Sequence, residues 1–158
     1  MKRYAAPWST SLIVISTVIS LILAGVAVLI AHDGRSWIAA LPLVIPLGSL
    51  LFMIRGYSLD SDTLLVPRLF WATRVPLGGL LSARVEPDVM RGSIRTFGNG
   101  GLFSFSGRFS NGTIGGYRAF VTDPQRAVVL DFETRKVVVS PAVPEEFVND
   151  MRRFTTAG

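Results

Sequence analysis

Cysteine is missing from this 158-residue chain, which excludes disulfide frameworks and cysteine-bound metal sites. Histidine occurs once, at His32. A serine or threonine nucleophile would therefore lack the base that most such mechanisms use. No Gly-Lys-Ser/Thr occurs anywhere, so the lysine-bearing phosphate loop is absent. Charge is scarce as well: charged residues are 17% of the chain, against 49% apolar. Asp60 and Asp62 form the most suggestive acidic pair, but Asp-Ser-Asp before an apolar run reads as a turn, and a cation needs more oxygen ligands. These absences lead us to expect no enzyme activity and no cofactor.

The charge that exists is unevenly placed. Residues 11–31 (SLIVISTVISLILAGVAVLIA) and 37–54 (WIAALPLVIPLGSLLFMI) carry none. As helices they would rise roughly 31 Å and 27 Å, close to a hydrocarbon core of about 30 Å. The sequence thus predicts a transmembrane hairpin: a stub over 1–8, a first span over 9–31, an external turn over 32–36 and a second span over 37–55. The first run is too long for a signal core, and no convincing small-x-small cleavage site follows it. Lys2, Arg3 and Arg55 flank the outer ends, which by the positive-inside rule places both termini in the cytoplasm of a bacterial inner-membrane protein. Trp8 and Trp37 suit an aromatic belt, and Pro42 and Pro46 should kink the second span. Neither span holds an ionisable residue, which argues against an ion or proton pathway.

Beyond Arg55 the pattern changes to short alternating runs. Tyr57-Ser58-Leu59 leads into the turn Asp60-Ser61-Asp62, and strands are expected over 63–66, 72–76, 80–86, 103–109, 117–122, 127–133 and 136–140, with Leu81, Ala83 and Val85 on one face and Phe103, Phe105 and Phe109 on another. About seven strands at such spacing suggest a sandwich or barrel. Pro144-Glu145-Glu146 then opens a helix, with Phe147, Met151 and Phe154 along one stripe. The glycine-rich stretch RTFGNGGLFSFSGRFSNGTIGGYRAFVT, residues 95–122, raises the prospect of a phosphate cradle. Phe103 stands where the third glycine of such a motif belongs, and the residues that follow alternate as a strand. Gly98, Gly100 and Gly101 are read instead as a turn, Gly107 as relief of crowding, and Asn111-Gly112 as a tight turn.

Several blocks in residues 57–154 resemble the bacterial pleckstrin-homology-like domains. They are Tyr57-Ser-Leu after the membrane, Val75-Pro76-Leu77 leading to Leu80-Leu81, the Phe97-to-Phe103 glycine block ending in Gly107-Arg-Phe, and Val137-Val-Val-Ser-Pro-Ala-Val-Pro-Glu-Glu-Phe147. Val143 departs from the pattern, because a capping Asp or Ser would be usual before Pro144. The resemblance implies a PH-like partly open barrel over 56–158, closed by its C-terminal helix and used for binding.

The net charge of +5 is carried almost wholly by arginine. Beside a membrane anchor, anionic lipid is a better partner for it than nucleic acid. Arg68, Arg74, Arg84, Arg91, Arg95, Arg108 and Arg118 fall in or beside loops and strands. Among these, Arg68, Phe70, Trp71 and Arg74 surround an expected hairpin tip and are the candidate membrane-surface contacts. Ser16, Ser20, Ala24 and Ala27 line one side of the first run, where small residues favour close helix contact. The functional expectation is a membrane-anchored module that recruits a protein partner or assembles as a homo-oligomer. An accessory subunit of a transport or envelope complex, or a lipid-headgroup reader, are the alternatives. No small-molecule substrate is evident.

Overall fold

A computed structural model describes residues 1–34 and 37–155. The order of elements is β1 (Lys2–Tyr4), α1 (Thr10–His32), a 3-10 turn (Ile38–Ala40), α2 (Leu41–Leu51), β2 (Tyr57–Asp60), β3 (Thr63–Pro67), β4 (Ala72–Pro76), β5 (Leu80–Val85), β6 (Ile94–Gly100), β7 (Phe105–Asn111), β8 (Gly115–Val121), β9 (Val128–Phe132), β10 (Lys136–Val139) and α3 (Pro144–Met151).

The domain is mainly β, as expected, but forms two sheets in place of a partly open barrel of about seven strands. One runs β1-β2-β3-β4 and the other β5-β9-β10-β8-β7-β6, and neither closes on itself. All neighbours are antiparallel except β10 and β8, which run parallel with Val138 opposite Ala119. The inner faces of the sheets meet over one core that includes Tyr57, Leu64, Leu80, Phe120 and Leu130, and α3 covers it with Phe147 and Met151. The C-terminal helix therefore packs as its stripe predicts, and Val143 supplies no side-chain cap. A second cluster on the outer face of the larger sheet joins Phe109, Tyr117, Val121 and Val129 to Val89 and Ile114.

The residues read as a free stub belong to the domain. Lys2, Arg3 and Tyr4 pair with Leu59, Ser58 and Tyr57. The Tyr4 ring meets Phe147 edge-on at 5.1 Å. A three-residue strand has no period to read, so its pairing emerges only in three dimensions. The Lys2 ammonium lies 2.5 Å from Asp150 on α3, and the Tyr4 hydroxyl donates to the same carboxylate. Hydrogen bonds from Lys2 and Tyr4 hold the Asp150 carboxyl below its usual value, while burial pushes the Tyr4 phenol up to about 12.

Helix α1 starts where Ser9 caps it by accepting from the Leu12 N–H. The same Ser9 donates its backbone N–H to Thr122 O, so the start of α1 is fixed to the end of β8. The second apolar run does not make a full span. Helix covers only Ile38–Leu51, roughly 21 Å of rise, because the chain begins in a 3-10 turn before Pro42 and leaves the helix at Phe52. Among the described residues one helix, Thr10–His32, is long and apolar enough to cross a membrane. Part of the expected outer turn, residues 35 and 36, lies outside the described residues, as do 156–158. The small side of α1 is used within the chain: α1 packs on α2, and Ser16 and Ala27 are buried.

Three local readings change. Leu80, not Leu81, enters the core, because a bulge between Leu80 and Ser82 turns Leu81 outward. Gly98 and Gly100 lie in β6, not in a turn. Gly98 faces Gly107 across the β6–β7 pair, and a Cβ on Gly107 would stand 2.1 Å from Phe97 O, so bare backbone permits this close approach. The turn is the next four residues, where Phe103 takes a left-handed φ of 62° instead of extending the strand. Asn111 turns the chain as its Asn-Gly pair predicts, its Oδ1 accepting from the N–H groups of Thr113 and Ile114.

Candidate functional site: an arginine-lined cleft at the foot of the helices

The β6–β7 turn reaches from the sheet to the apolar helices. The Phe103 N–H donates to Ser16 Oγ on α1 at 2.9 Å, and the Phe103 ring lies 6.1 Å from that of Trp8. Ser104 Oγ donates to Phe52 O at the end of α2. Beside this junction opens a cleft of about 1160 Å³ between α2, the β3–β4 tip and the β6–β7–β8 face. Its volume slightly exceeds the range of ordinary ligand sites, about 300–1,000 Å³.

Strand alternation decides which side chains enter it. On β7, Phe109 points to the outer cluster, so Ser106 and Arg108 face the other way. On β8, Tyr117, Ala119 and Val121 point outward, which leaves Arg118 and Phe120 beside Ser106 and Arg108. Arg108 and Arg118 are direct cross-strand partners, a like-charge pairing that destabilises a sheet on its own. Arg68 comes from the β3–β4 loop, whereas Arg95 on β6 pairs with the outward Phe109 and runs beside Gly100 on the outer face. The opposite wall is apolar and comes from α2 and the segment after it, with Ile45, Leu51 and Phe52.

Arg68 is only 6% exposed, which contradicts its expected place on the surface of the hairpin tip. Its guanidinium donates to Phe52 O at 2.6 Å, Ser106 Oγ at 2.6 Å and Thr73 Oγ1 at 3.1 Å. It thereby caps the carbonyl end of α2, where a cation suits the helix dipole. The rings of Phe52 and Phe120 lie 5.6 Å and 5.5 Å from it. Arg118 stacks on Phe120 too, at 4.9 Å, so one ring carries two guanidinium groups. Burial lowers the pKa of Arg68, and nearby Arg118 lowers it further. Burial likewise lowers that of Arg118, with Arg108 and Arg135 adding to the shift.

Among the described residues no carboxylate lines the cleft. The ion pairs among the described residues engage Lys2, Arg84, Arg126 and Arg153, and none of Arg68, Arg108 and Arg118. Arg68 uses three of its five N–H donors on protein oxygens. A buried cation without a counter-charge costs several kcal/mol. The arrangement as it stands is electrostatically incomplete and complementary to an anion.

The other candidate contacts are placed as follows. Phe70 is 77% exposed at the tip of the β3–β4 loop, and Trp71 is 42% exposed and meets Phe52 edge-on at 5.6 Å. Arg74 is exposed on β4 and lines a neighbouring basic groove with Arg108, Arg118, Arg135 and Lys136. Phe97, on the β6 lip of the cleft, is 76% exposed. Sequence reasoning noted Arg95, Arg108 and Arg118 only as loop and strand arginines. The alternation of β7 and β8 could have grouped the last two, but no local signal brings Arg68 to them.

The profile of one protein family, described as bacterial PH domain, matches residues 55–154. Comparison with curated proteins and with solved structures finds no match.

Proposed function

Because the chain belongs to the bacterial PH domain family, we propose that it is a non-enzymatic binding or scaffold module held at the inner face of the bacterial inner membrane. The observation that carries the membrane assignment is the bare apolar surface of the helices. Ile13, Val14, Val18, Leu21, Ile22, Val28 and Leu29 on α1, and Leu41, Val44, Ile45 and Leu47 on α2, stand exposed in the isolated chain. A patch of this extent on a water-soluble protein would be an aggregation surface, and a bilayer covers it at no such cost.

The helices also set the height of the domain. The β6–β7 turn grips the first two turns of α1 through Ser16, which leaves residues 17–32, roughly 24 Å, beyond the domain. Ile38–Leu51 supplies about 21 Å on the return. Both are shorter than a hydrocarbon core of about 30 Å, so the mismatch draws the domain against the headgroups. Phe70, Trp71 and Phe97 then meet the interface, where amphipathic and aromatic side chains are favourable. Lys2 and Arg3 precede α1 and Arg55 follows α2, which favours both ends on the cytoplasmic side.

A protein partner or a second copy is supported by β6, the edge strand of the larger sheet, which carries exposed Ile94 and Phe97. Membrane attachment is tested by alkaline extraction of membranes containing the full chain, together with a topology reporter joined to its C-terminus. Retention in the pellet with cytoplasmic reporter activity is expected. Release into the supernatant, or periplasmic activity, refutes the proposal.

A further inference from the structure

The geometry points to the arginine cleft as a binding site for the phosphate of an anionic glycerophospholipid, with an acyl chain lying along α2. This inference rests on the membrane placement proposed above and names the ligand of that membrane-facing site. Three features select this occupant. Arg68, Arg108 and Arg118 bring three guanidinium groups to one cleft that, among the described residues, no carboxylate lines, so its charge is complementary to an anion. Guanidinium forks match phosphate oxygens in paired hydrogen bonds, and Arg68 is already held in place by three hydrogen bonds to protein oxygens. The facing wall is Ile45, Leu51 and Phe52, continuous with the exposed apolar surface of α2. An inorganic anion would satisfy the arginines and leave that wall unused. An acidic peptide would have to lie against a helix that the proposed bilayer surrounds. A lipid meets both halves at once.

The phosphate would offset the repulsion between cross-strand partners Arg108 and Arg118 and supply Arg68 with its missing counter-charge. Charge-assisted hydrogen bonds of this kind are stronger than neutral ones. Loss of each arginine that contacts the phosphate should weaken binding about tenfold. Both Arg108 and Arg118 are exposed on their strands, so replacing them should leave the fold intact.

The full chain in detergent is titrated with dihexanoyl phosphatidylglycerol, dihexanoyl phosphatidylcholine, glycerol phosphate and inorganic phosphate, with fluorescence of Trp71 as the readout. Trp71 lines the cleft, and Trp71→Phe identifies its share of the signal. The expected result is a saturable response to the anionic lipid, at least about tenfold tighter than to the zwitterionic lipid or to either soluble phosphate. The Arg108→Gln, Arg118→Gln double variant should lose it by about a hundredfold. Arg84→Gln should not change it, because Arg84 pairs with Glu86 and Asp131 elsewhere. Equal response to both lipids removes the phosphate-charge assignment. Equal response to inorganic phosphate and anionic lipid makes this a soluble-anion site and overturns the lipid. No response to any of the four overturns the inference outright. All of these leave membrane attachment standing, whereas release by alkaline extraction defeats the attachment itself.

Discussion

Replacing Tyr57 with Phe removes a single oxygen from the centre of the domain. Tyr57 is fully buried between the sheets, and its hydroxyl donates to Phe120 O at 2.6 Å while accepting from the Ser140 N–H at 3.0 Å. Ser140 Oγ stands 3.2 Å from the same hydroxyl and accepts from the Thr122 N–H at 2.9 Å. This one phenol therefore links β2 to the ends of β8 and β10, across the only parallel pairing among the described strands. The Phe variant keeps the ring and its edge contact with Phe147. It leaves one buried N–H and one buried carbonyl each short of a partner, at about 1–3 kcal/mol apiece, or roughly 2–6 kcal/mol together. Against a total stability of about 5–15 kcal/mol, that is a large fraction. Tm should fall by on the order of 10 °C or more.

Alkaline pH provides a separate check. Burial raises the Tyr57 pKa from 10.0 to about 12. The unfolded chain thus ionises first, so this group's contribution is full below pH 10 and is lost as pH rises to about 12. A two-unit difference corresponds to about 2–3 kcal/mol. Urea unfolding of the full chain in detergent micelles, at pH 7 and across pH 9.5–12, measures both effects. The variant should be weaker at pH 7 and should show a shallower alkaline decline. Tyr4 also titrates near 12 and sustains the remainder. A loss below about 0.5 kcal/mol at pH 7, with an unchanged alkaline limb, would refute the assignment of Tyr57 as the central hydrogen-bond link.

Phe147→Ala should cost about 3–5 kcal/mol, because the ring is fully buried between Tyr4 and Tyr57, and limited proteolysis should then release fragments of the domain. Gly107→Ala forces a Cβ against Phe97 O and should destabilise by at least about 1–3 kcal/mol in the same urea assay, whereas Gly112→Ala, with no heavy atom near its Cβ, should be nearly silent. Asp150→Asn should remove an acid-dependent contribution. The carboxyl is held below 3.8, so its stabilisation is present above that pH and lost as pH falls through the depressed native value. Wild type and variant should therefore differ at pH 7 and converge in strong acid, and a gap that persists unchanged at the acid end would contradict the Lys2–Asp150 clamp.

Periodicity and composition alone determined the long apolar helix, most of the strands and the buried stripe of α3. Each is a local pattern, in which one face of an element must find a partner whatever that partner is. The Asn111-Gly112 turn was legible for the same reason, since an Asn side chain bonds its own neighbours. Tertiary structure decided where local signals were weak or shared. Residues 2–4 became a strand because β2 offered an open edge, and the second apolar run shortened because its last residues were drawn into the domain: Arg55 N–H donates to Pro67 O, and Phe52 O receives Arg68 and Ser104. Arg68 reads in sequence as one more arginine at a polar turn. Its burial beside Arg118, 50 positions along the chain, follows from the folding of the β3–β4 tip onto the β7–β8 face. Hydrophobic alternation can place each arginine on one side of its own strand, but it holds no record of distance between strands. The convergence of Arg68, Arg108 and Arg118 on one cleft is therefore a property of the packing.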